Sequence, residues 1–336
     1  MEEPKTLQQA ILYFADPDRC IAYLAASRWP DGVAVCPTCG RKDVAYVAKR
    51  RVWQCKSRHP KAQFSIKVGT IFADSPISLD KWLMAMWMIA NCKNGVSSYE
   101  IHRAIKVTQK TAWFMLHRIR VALKSEGHSQ MSGNVEADEA WIGGNPKNRH
   151  KSKREQLLAG DGTGGVIQNP LFKAETGRGT KKIPVFGLLD REAQQVRAKV
   201  IPQVNRAVLQ NEILNSVSKG SRILTDENGA YASLAKMEFI HEAVNHVLEY
   251  VRGDVHTNGL ENFWSLLKRG LRGTYVAVEP FHLDRYLDEQ VFRYNNRATK
   301  DNPLNDSDRF ALVVSQIVGR RITYAQLTGK ADARPF

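Results

Sequence analysis

Two pairs of metal-binding residues near the N-terminus constrain the fold more than any other pattern in the sequence. The pattern is Cys36-x2-Cys39, then 15 residues, then Cys55-x3-His59. The intervening residues 44–53 are rich in valine and aromatic residues, which favour strands. Two ligand pairs joined by a hairpin are typical of tetrahedral zinc in a ribbon, because the metal supplies stability that so small a core lacks. We therefore predict a Zn²⁺ site made by these four residues.

The fourth zinc ligand is inferred from its position. Ribbons more often close with a second Cys-x2-Cys pair, but Arg58 stands where that cysteine would be, so His59 takes the role. The alternative is two unrelated cysteine clusters with an exposed histidine. The chain has five cysteines, and an odd number argues against a disulfide framework. Cys20 and Cys92 are assigned to packing.

The charge of the chain favours a polyanionic partner. Over 336 residues, 49 Lys and Arg exceed 34 Asp and Glu, which gives a formal net charge of +15. Each cation that neutralises a phosphate releases a condensed counterion, so nucleic acid is the leading partner class. The longest apolar run, residues 82–92, is too short to span a bilayer, and the acidic N-terminus does not resemble a signal peptide. We expect a cytoplasmic protein with no membrane partner.

Helical periodicity in residues 79–123 predicts a DNA-binding unit. Residues 79–92 form an apolar-rich helix, and residues 97–105 form a second one that opens with the capping box SSYE. A short link leads to a third helix over residues 111–123. Two helices joined by so short a turn are typical of a helix-turn-helix, whose second helix enters the major groove. That helix brings the polar residues Gln109, Lys110, Thr111, His117, Arg118 and Arg120. An ordinary helical hairpin with a solvated charged face is the alternative.

From residue 133 the pattern changes to that of strands. The predicted order is strands at 133–144, 183–190 and 194–201, a helix near 204–217, a strand at 221–225, a helix from about 230, a strand within 238–247 and a helix from 256. Three strands, helix, strand, helix, strand, helix is the order of an RNase H-like α/β domain with a mixed five-stranded sheet.

Three carboxylates far apart in the sequence fall where this fold can bring them together. Asp138 lies within the first strand, Asp226 ends the fourth, and Glu261 lies in the first turn of the last helix. Like charges raise one another's pKa, so such a group is tolerated mainly where a divalent cation neutralises it. Oxygen ligands suit Mg²⁺ or Mn²⁺, and two ions about 4 Å apart serve phosphodiester chemistry. Glu136 and Glu139 are excluded, because strand alternation is expected to point them to the opposite face.

The stretch HTNGLENFWSLLKR, residues 256–269, allows two interpretations of Glu261. Asn258 and Glu261 fit an Asn-led capping box. Glu261 and Lys268 also lie close to two helical turns apart, so both side chains are expected on one face. Glu261 can both cap the helix and bind a metal, because a carboxylate has two oxygens.

Six sequence blocks resemble the ISXO-type (ISXO-like) family of bacterial insertion-sequence transposases. The blocks are CPTCG with the downstream WQC, FSIKVGTIFADSPISLDKW (64–82), VEADEAWIGG (135–144), LTDENGAY (224–231), HTNGLENFWSLLKRG (256–270) and RYNNR (293–297). The resemblance implies a DDE catalytic triad on Asp138, Asp226 and Glu261, with Mg²⁺ or Mn²⁺ as cofactor. It also implies that Lys268 is the basic residue that follows the glutamate. Some relatives carry asparagine at the third position, which leaves Asn258 as an alternative ligand.

The expected architecture is a multidomain α+β protein. The domains are an N-terminal helical segment (1–30), a zinc ribbon (31–72), a helix-turn-helix (75–128), an RNase H-like DDE domain (129–300) with a basic insertion (145–182), and a C-terminal helical tail (301–336). The insertion carries the run KNRHKSKR, which is expected to contact DNA, although a solvated charge run is the alternative.

The expected function is DNA transposition in a bacterial cytoplasm, with the protein at the nucleoid when it is bound to DNA. The enzyme would bind terminal inverted repeats, hydrolyse the phosphodiester at each element end and join the 3′-hydroxyl to target DNA, as a dimer or larger assembly. The expected DNA contacts are Lys268, Arg269, Gln109, Lys110 and Arg118. The alternatives are a structure-selective nuclease on the same fold and a DNA-binding regulator that has lost catalysis.

Overall fold

The computed structural model describes residues 3–124, 129–143, 182–244, 255–276, 278–300 and 302–329. They divide into a first unit, Met1–Ser125 with Asn296–Phe336, and a second unit, Glu126–Asn295. The predicted basic insertion lies, except for its last residue, outside the described residues. None of the helices in the described parts of the chain is long and apolar enough to cross a membrane.

The first unit begins with two short helices and a small sheet. Helices α1 (Leu7–Phe14) and α2 (Pro17–Arg28) start at the N-caps Thr6 and Asp16, whose side chains accept hydrogen bonds from backbone N–H groups. The antiparallel sheet contains β1 (Val44–Val47), β2 (Val52–Cys55) and β3 (Gln63–Phe64), in that order. The hairpin predicted between the two ligand pairs is therefore present.

A buried helix forms the centre of the first unit. Helix α3 (Leu79–Asn91) packs against α4 (Ser98–Ile105) and α5 (Gln109–Leu123), which are joined by three residues. The predicted capping box of α4 is confirmed, since Ser97 and Glu100 exchange hydrogen bonds. Two further helices from the C-terminal end of the chain belong to this unit: α9 (Asp306–Ser315), which packs on α3, and α10 (Tyr324–Leu327).

The second unit contains a mixed sheet of five strands in the order β6-β5-β4-β7-β8. The strands are β4 (Asn134–Ile142), β5 (Ile183–Asp190), β6 (Gln195–Val200), β7 (Arg222–Asp226) and β8 (Ile240–Val244). The first three pair antiparallel, β7 runs parallel to β4, and β8 runs parallel to β7. This is the strand order and direction of an RNase H-like domain, as predicted.

Helices cover both faces of this sheet because its strands carry apolar residues on both sides. Helix α6 (Arg206–Ser216) packs on one face, against a cluster that includes Val135, Phe186 and Ile223. Helices α7 (Asn258–Gly270) and α8 (Leu283–Asn295) pack on the other, against Ala140, Val185 and Leu189. The face that carries α7 is the one that Asp138 shares.

The helix predicted from about residue 230 is wrong. Two 3-10 turns, Gly229–Tyr231 and Leu234–Met237, connect β7 to β8 instead. The second turn ends at Glu238, whose φ of 65° is left-handed and cannot continue a helix. Tyr231 and Leu234 are fully buried, so the turns still fill the core beside β7.

Candidate active site and zinc site

The four predicted zinc ligands converge on one point. One ligand atom from each of Cys36, Cys39, Cys55 and His59 lies within 4.8 Å of the others. His59 Nε2 is 3.5 Å from Cys36 Sγ, and Cys39 Sγ is 3.7 Å from Cys55 Sγ. A tetrahedral ion with Zn–S bonds of about 2.3 Å holds two sulfurs about 3.8 Å apart, so these edges fit Zn²⁺.

The environment of the ligands also suits a cation. The Nδ1–H of His59 donates to the carbonyl of Pro60 at 2.7 Å, which leaves Nε2 as the metal-facing lone pair. Desolvation opposes ionisation of the Cys55 thiol, but hydrogen bonds from Ser57 and His59 outweigh it and lower its pKa to about 6. A thiolate is the form that binds zinc.

The residues expected to contact DNA from α5 divide into two sets. At the start of the helix, Lys110 is exposed and Gln109 is half-buried, donating to Ser98 Oγ at 2.8 Å. Helix α5 begins two residues earlier than predicted because Thr108 caps it. The first turn of α5 therefore presents Lys110 to solvent, while Gln109 is bonded to α4.

The expectation that Arg118 lies on the exposed face of α5 is wrong. Arg118 is only 4% exposed and donates a hydrogen bond to the carbonyl of Ala73. His117 and Arg120 are equally buried, at 0% and 1% exposed. The second half of α5 is surrounded by the unit's core, so its basic residues do not form a solvated stripe.

In the second unit, Asp138 and Asp226 are brought together as predicted. Parallel pairing of β4 with β7 puts both at one edge of the sheet. Carboxylate oxygens of Asp138, Asp226 and Glu139 all lie within 4.8 Å of one another. We call these three residues the acidic cluster. Carboxylate oxygens at such separations can share a divalent cation.

Burial and mutual repulsion perturb the acidic cluster. Burial, followed by the charge of Asp226, raises the pKa of Asp138 from 3.8 to about 6. Burial is also the largest cause for Glu139, whose pKa rises from 4.5 to about 7 despite a hydrogen bond from Tyr231. Asp138 and Glu139, two carboxyls that resist ionisation beside Asp226, fit a hard divalent cation such as Mg²⁺ or Mn²⁺, which would favour their charged forms.

The exclusion of Glu139 from the site was wrong. Its side chain starts on the face of α6, as alternation requires, where Tyr231 Oη donates to its Oε1 at 2.5 Å. The glutamate side chain is nevertheless long enough to place a carboxylate oxygen within 4.8 Å of one from Asp226. Alternation fixes where a side chain leaves the backbone, not where its charged end lies.

Glu136 lies outside the acidic cluster, but the prediction that it points to the opposite face of the strand from Asp138 is wrong. Two residues from Asp138 on the same strand, it shares that residue's face. There it is 1% exposed, its Oε1 lies 2.8 Å from Arg191 Nε, and its Oε2 accepts the backbone N–H of Leu260 at 2.9 Å. Glu136 therefore satisfies a free N–H at the start of α7 and fixes that helix to the sheet.

Glu261 lies on α7 beside the acidic cluster. An open groove of about 510 Å³ is lined by Glu261 together with Asp138 and Glu139, and the charge of Glu261 contributes to the raised pKa of Asp138. The predicted capping box does not form, because α7 already begins at Asn258 and Thr257 occupies the N-cap. Asn258 is exposed and does not line the groove.

Basic residues also line this groove. Lys268 lies on the face of α7 that carries Glu261, as the seven-residue spacing predicts, and Arg269 and Arg272 continue the lining. A run of cations beside acids suits a phosphodiester chain whose charge must be held close to the carboxylates. No sequence pattern singles out Arg272.

Trp264 is a site residue that sequence reasoning missed. Its Nε1–H donates to Asp138 Oδ2 at 2.9 Å, which holds that carboxylate in place. The indole packs over Gly187, where an added Cβ would lie 2.6 Å from Trp264 Cζ2. Gly187 pairs with Asp138 across the sheet, so its missing side chain is what allows the tryptophan to reach the carboxylate.

We expect Trp264→Phe to shift the pH dependence of any activity that needs ionised Asp138. The indole hydrogen bond lowers the pKa of Asp138, so its loss raises that pKa further. The pH of half-maximal DNA cleavage should rise by about half to one unit, with little loss at high pH. Trp141→Phe is the matched control. Trp141 lies on β4, the strand of Asp138, but is 38% exposed, so its replacement should leave the pH profile unchanged. Equal profiles for both variants would contradict this role.

Two family models match the chain. Residues 130–295 match the ISXO2-like transposase domain, and residues 16–57 match the transposase zinc-ribbon domain. The first match covers the acidic cluster and α7, and the second contains three of the four zinc ligands but ends before His59.

Two relatives also resemble the chain. An uncharacterized protein in the transposable element ISH50 of Halobacterium salinarum (strain ATCC 700922 / JCM 11081 / NRC-1) is 30% identical over 284 residues, which are 82% of this chain and 89% of that protein. An uncharacterized transposase-like protein of Haemophilus influenzae (strain ATCC 51907 / DSM 11121 / KW20 / Rd) is 32% identical over 106 residues, 32% of this chain and 85% of that protein.

Solved structures also resemble the chain in part. A chain of the simian T-cell lymphotropic virus intasome, in complex with PP2A regulatory subunit B56 gamma, is 10% identical, with a TM-score of 0.31 over 68% of this chain and 74% of that chain. A TM-score of this size does not establish a shared fold.

Proposed function

The chain belongs to the ISXO2-like (IS1595) family of DDE transposases, and we propose that it hydrolyses one phosphodiester at each end of a mobile element and joins the freed 3′-hydroxyl to target DNA. The observation that carries this proposal is the acidic cluster, which opens onto the groove lined by Lys268, Arg269 and Arg272. Carboxylates and cations that line one groove suit a reaction at a phosphodiester.

The acidic cluster would hold Mg²⁺ or Mn²⁺, which supplies an activated attacking oxygen and stabilises the leaving one. The protein's own residues prepare the site. Trp264 fixes the Asp138 carboxylate, and Glu136 fixes the start of α7. Lys268 and Arg269 would then neutralise the phosphates on either side of the scissile bond, and so set its position against the acids.

The third acid of the triad is Glu261 in our proposal. It lines the same groove as Asp138, its side chain is exposed, and its charge contributes, after burial and the charge of Asp226, to the raised pKa of Asp138. Glu139 is the competing residue, because it already lies with Asp138 and Asp226. Its raised pKa and its bond to Tyr231 favour a supporting role.

We expect Glu261→Gln to reduce Mg²⁺-dependent cleavage of the element ends by at least about 100-fold, since loss of a metal ligand costs at least as much as loss of a group that orients one. Glu139→Gln should reduce it by about tenfold or less. Both proteins should bind the end DNA as the wild type does, which gel-shift measurements would check. Full cleavage by Glu261→Gln, with a complete loss in Glu139→Gln, would move the third acid to Glu139.

Recognition of the ends is assigned to the first unit. The zinc ribbon and the first turn of α5, with Gln109 and Lys110, present polar and basic groups of the kind that read and hold DNA. Because two ends must be processed together, the active species is proposed to be a dimer or larger assembly. The whole reaction would take place on DNA in the bacterial cytoplasm.

A structure-selective nuclease on the same fold is the competing function. It would hydrolyse DNA without joining it, so the products separate the two functions. Incubation of the protein with the DNA that flanks its own coding sequence, with Mg²⁺, should yield ends covalently joined to a target plasmid. Sequencing that finds only hydrolysed ends would support the nuclease, and no metal-dependent nicking at all would support an inactive regulator.

A further inference from the structure

A pocket in the first unit lies beside the first turn of α5. It has a volume of about 250 Å³, and three aromatic residues, Trp82, Phe114 and Tyr324, contribute to its lining. Arg118 and Lys110 supply positive charge there. We call this cavity the Trp82 pocket. It is smaller than the roughly 300–1,000 Å³ of pockets that take drug-sized ligands, so its size suits a single ring system.

Arg118 is the unusual member of this lining. Its guanidinium carbon lies 5.7 Å from the centre of the Trp82 ring and 5.2 Å from that of Phe114. The terminal N–H bonds to Ala73, but within the described residues Nε is buried without a hydrogen-bond partner. Burial, followed by the charge of Arg321, lowers the pKa of Arg118 to about 10. A buried charged donor without an acceptor costs free energy, which a ligand with an acceptor would recover.

A basic groove adjoins the pocket. Lys81, Arg103 and Lys106 supply positive charge to its lining. Ile77 and Thr111 line both cavities, so the two lie next to each other at the start of α5. The basic groove suits a phosphate backbone, and a base attached to that backbone would be within reach of the pocket.

We propose that the Trp82 pocket takes one unpaired base of the bound DNA. This inference rests on the proposed function, since it assigns DNA binding to the first unit. Aromatic rings and guanidinium planes are the surfaces on which unstacked bases are held, and Nε–H of Arg118 supplies a donor for an acceptor atom on the base edge. An unpaired base is the least costly to extract from a duplex.

An unpaired base provides the test. Affinities of the full-length protein are measured at one salt concentration, without divalent ions, for a fully paired duplex and for the same duplex with one unpaired thymine. We expect the wild type to bind the second duplex about tenfold more tightly, the size of one base stacked on an aromatic ring. Phe114→Leu and Arg118→Met should each lose this preference while affinity for the paired duplex stays within about twofold.

Arg103→Gln is the matched control. Arg103 lines the basic groove but not the pocket, so this variant should weaken both duplexes by the same factor. Thermal unfolding shows whether each variant is folded, and Phe114→Leu, which keeps an apolar side chain, serves if Arg118→Met is not. Equal binding of the two duplexes by the wild type, or a preference that survives in a folded variant, would overturn the inference alone. Binding of neither duplex would overturn the proposed function of the first unit as well.

Discussion

Replacement of Asp226 with asparagine is expected to abolish metal-dependent DNA cleavage while stabilising the metal-free protein at alkaline pH. Asp226 supplies oxygen to the acidic cluster, and its loss leaves Asp138 and Glu139 unable to hold a divalent ion alone. We expect the cleavage rate to fall by about 10²- to 10³-fold, as it does when a group that stabilises transition-state charge is removed. Single-turnover cleavage of labelled end DNA measures this fall.

The gain in stability follows from the pKa values of the cluster. The charge of Asp226 contributes to raising the pKa of Asp138 to about 6 and that of Glu139 to about 7. A carboxyl with a raised pKa holds its proton more tightly in the folded protein than in the unfolded one. Its contribution to the free energy of unfolding is therefore fully present below the unfolded pKa values, 3.8 for Asp138 and 4.5 for Glu139. That contribution is lost as the pH rises through the folded pKa values of about 6 and about 7. Without the charge of Asp226 less of this stability is lost at high pH. The free energy of unfolding of Asp226→Asn should therefore exceed that of the wild type by about 1 kcal/mol at pH 8 and by much less at pH 4.

Glu238→Gln is the control for both measurements. Glu238 forms a surface ion pair with Lys219 at 2.9 Å, so its replacement removes one acid from the second unit without touching the acidic cluster. It should cleave DNA as the wild type does and show no pH-dependent gain in stability. An Asp226→Asn protein that cleaves at the wild-type rate would remove this residue from the site.

The sequence predicted the parts of the fold that local patterns control. The strand predicted at residues 183–190 has those bounds in the structure, because its run of apolar residues is buried on both faces of the sheet. The convergence of Asp138 with Asp226 followed from strand order alone. The spacing of Glu261 and Lys268 followed from helix geometry.

The remaining site features depend on contacts between distant elements, which no local pattern encodes. Trp264 reaches Asp138 only because Gly187 leaves room for the indole on a neighbouring strand. Arg118 is buried because α5 is packed within the unit's core, although a basic residue on a predicted recognition helix indicates exposure. Glu139 joins the acidic cluster because its carboxylate reaches those of Asp138 and Asp226, although its side chain leaves the opposite face of β4 from Asp138.

The second large effect is expected from loss of the zinc site. Cys36→Ser should leave the purified protein with almost no zinc, where the wild type carries about one ion per chain. The ribbon has three short strands and a small core around Trp53 and Phe64, so we expect metal binding to supply most of its folding free energy. Structural zinc contributes about 10–16 kcal/mol in comparable small domains, which a core of this size does not replace.

Metal content and hydrogen exchange of the ribbon measure this effect. Amides of β1 and β2, which are hydrogen-bonded to each other, should lose protection in Cys36→Ser, while amides of β4 and β5 in the second unit stay protected. Cys92→Ser is the matched control, since Cys92 is a half-buried cysteine outside the four zinc ligands and its replacement should leave zinc content unchanged.

His59→Ala tests the inferred fourth ligand, because the remaining three cysteines should bind zinc much more weakly. Equal zinc content in the wild type and in Cys36→Ser would refute the ligand set, since the zinc would then be held without Cys36.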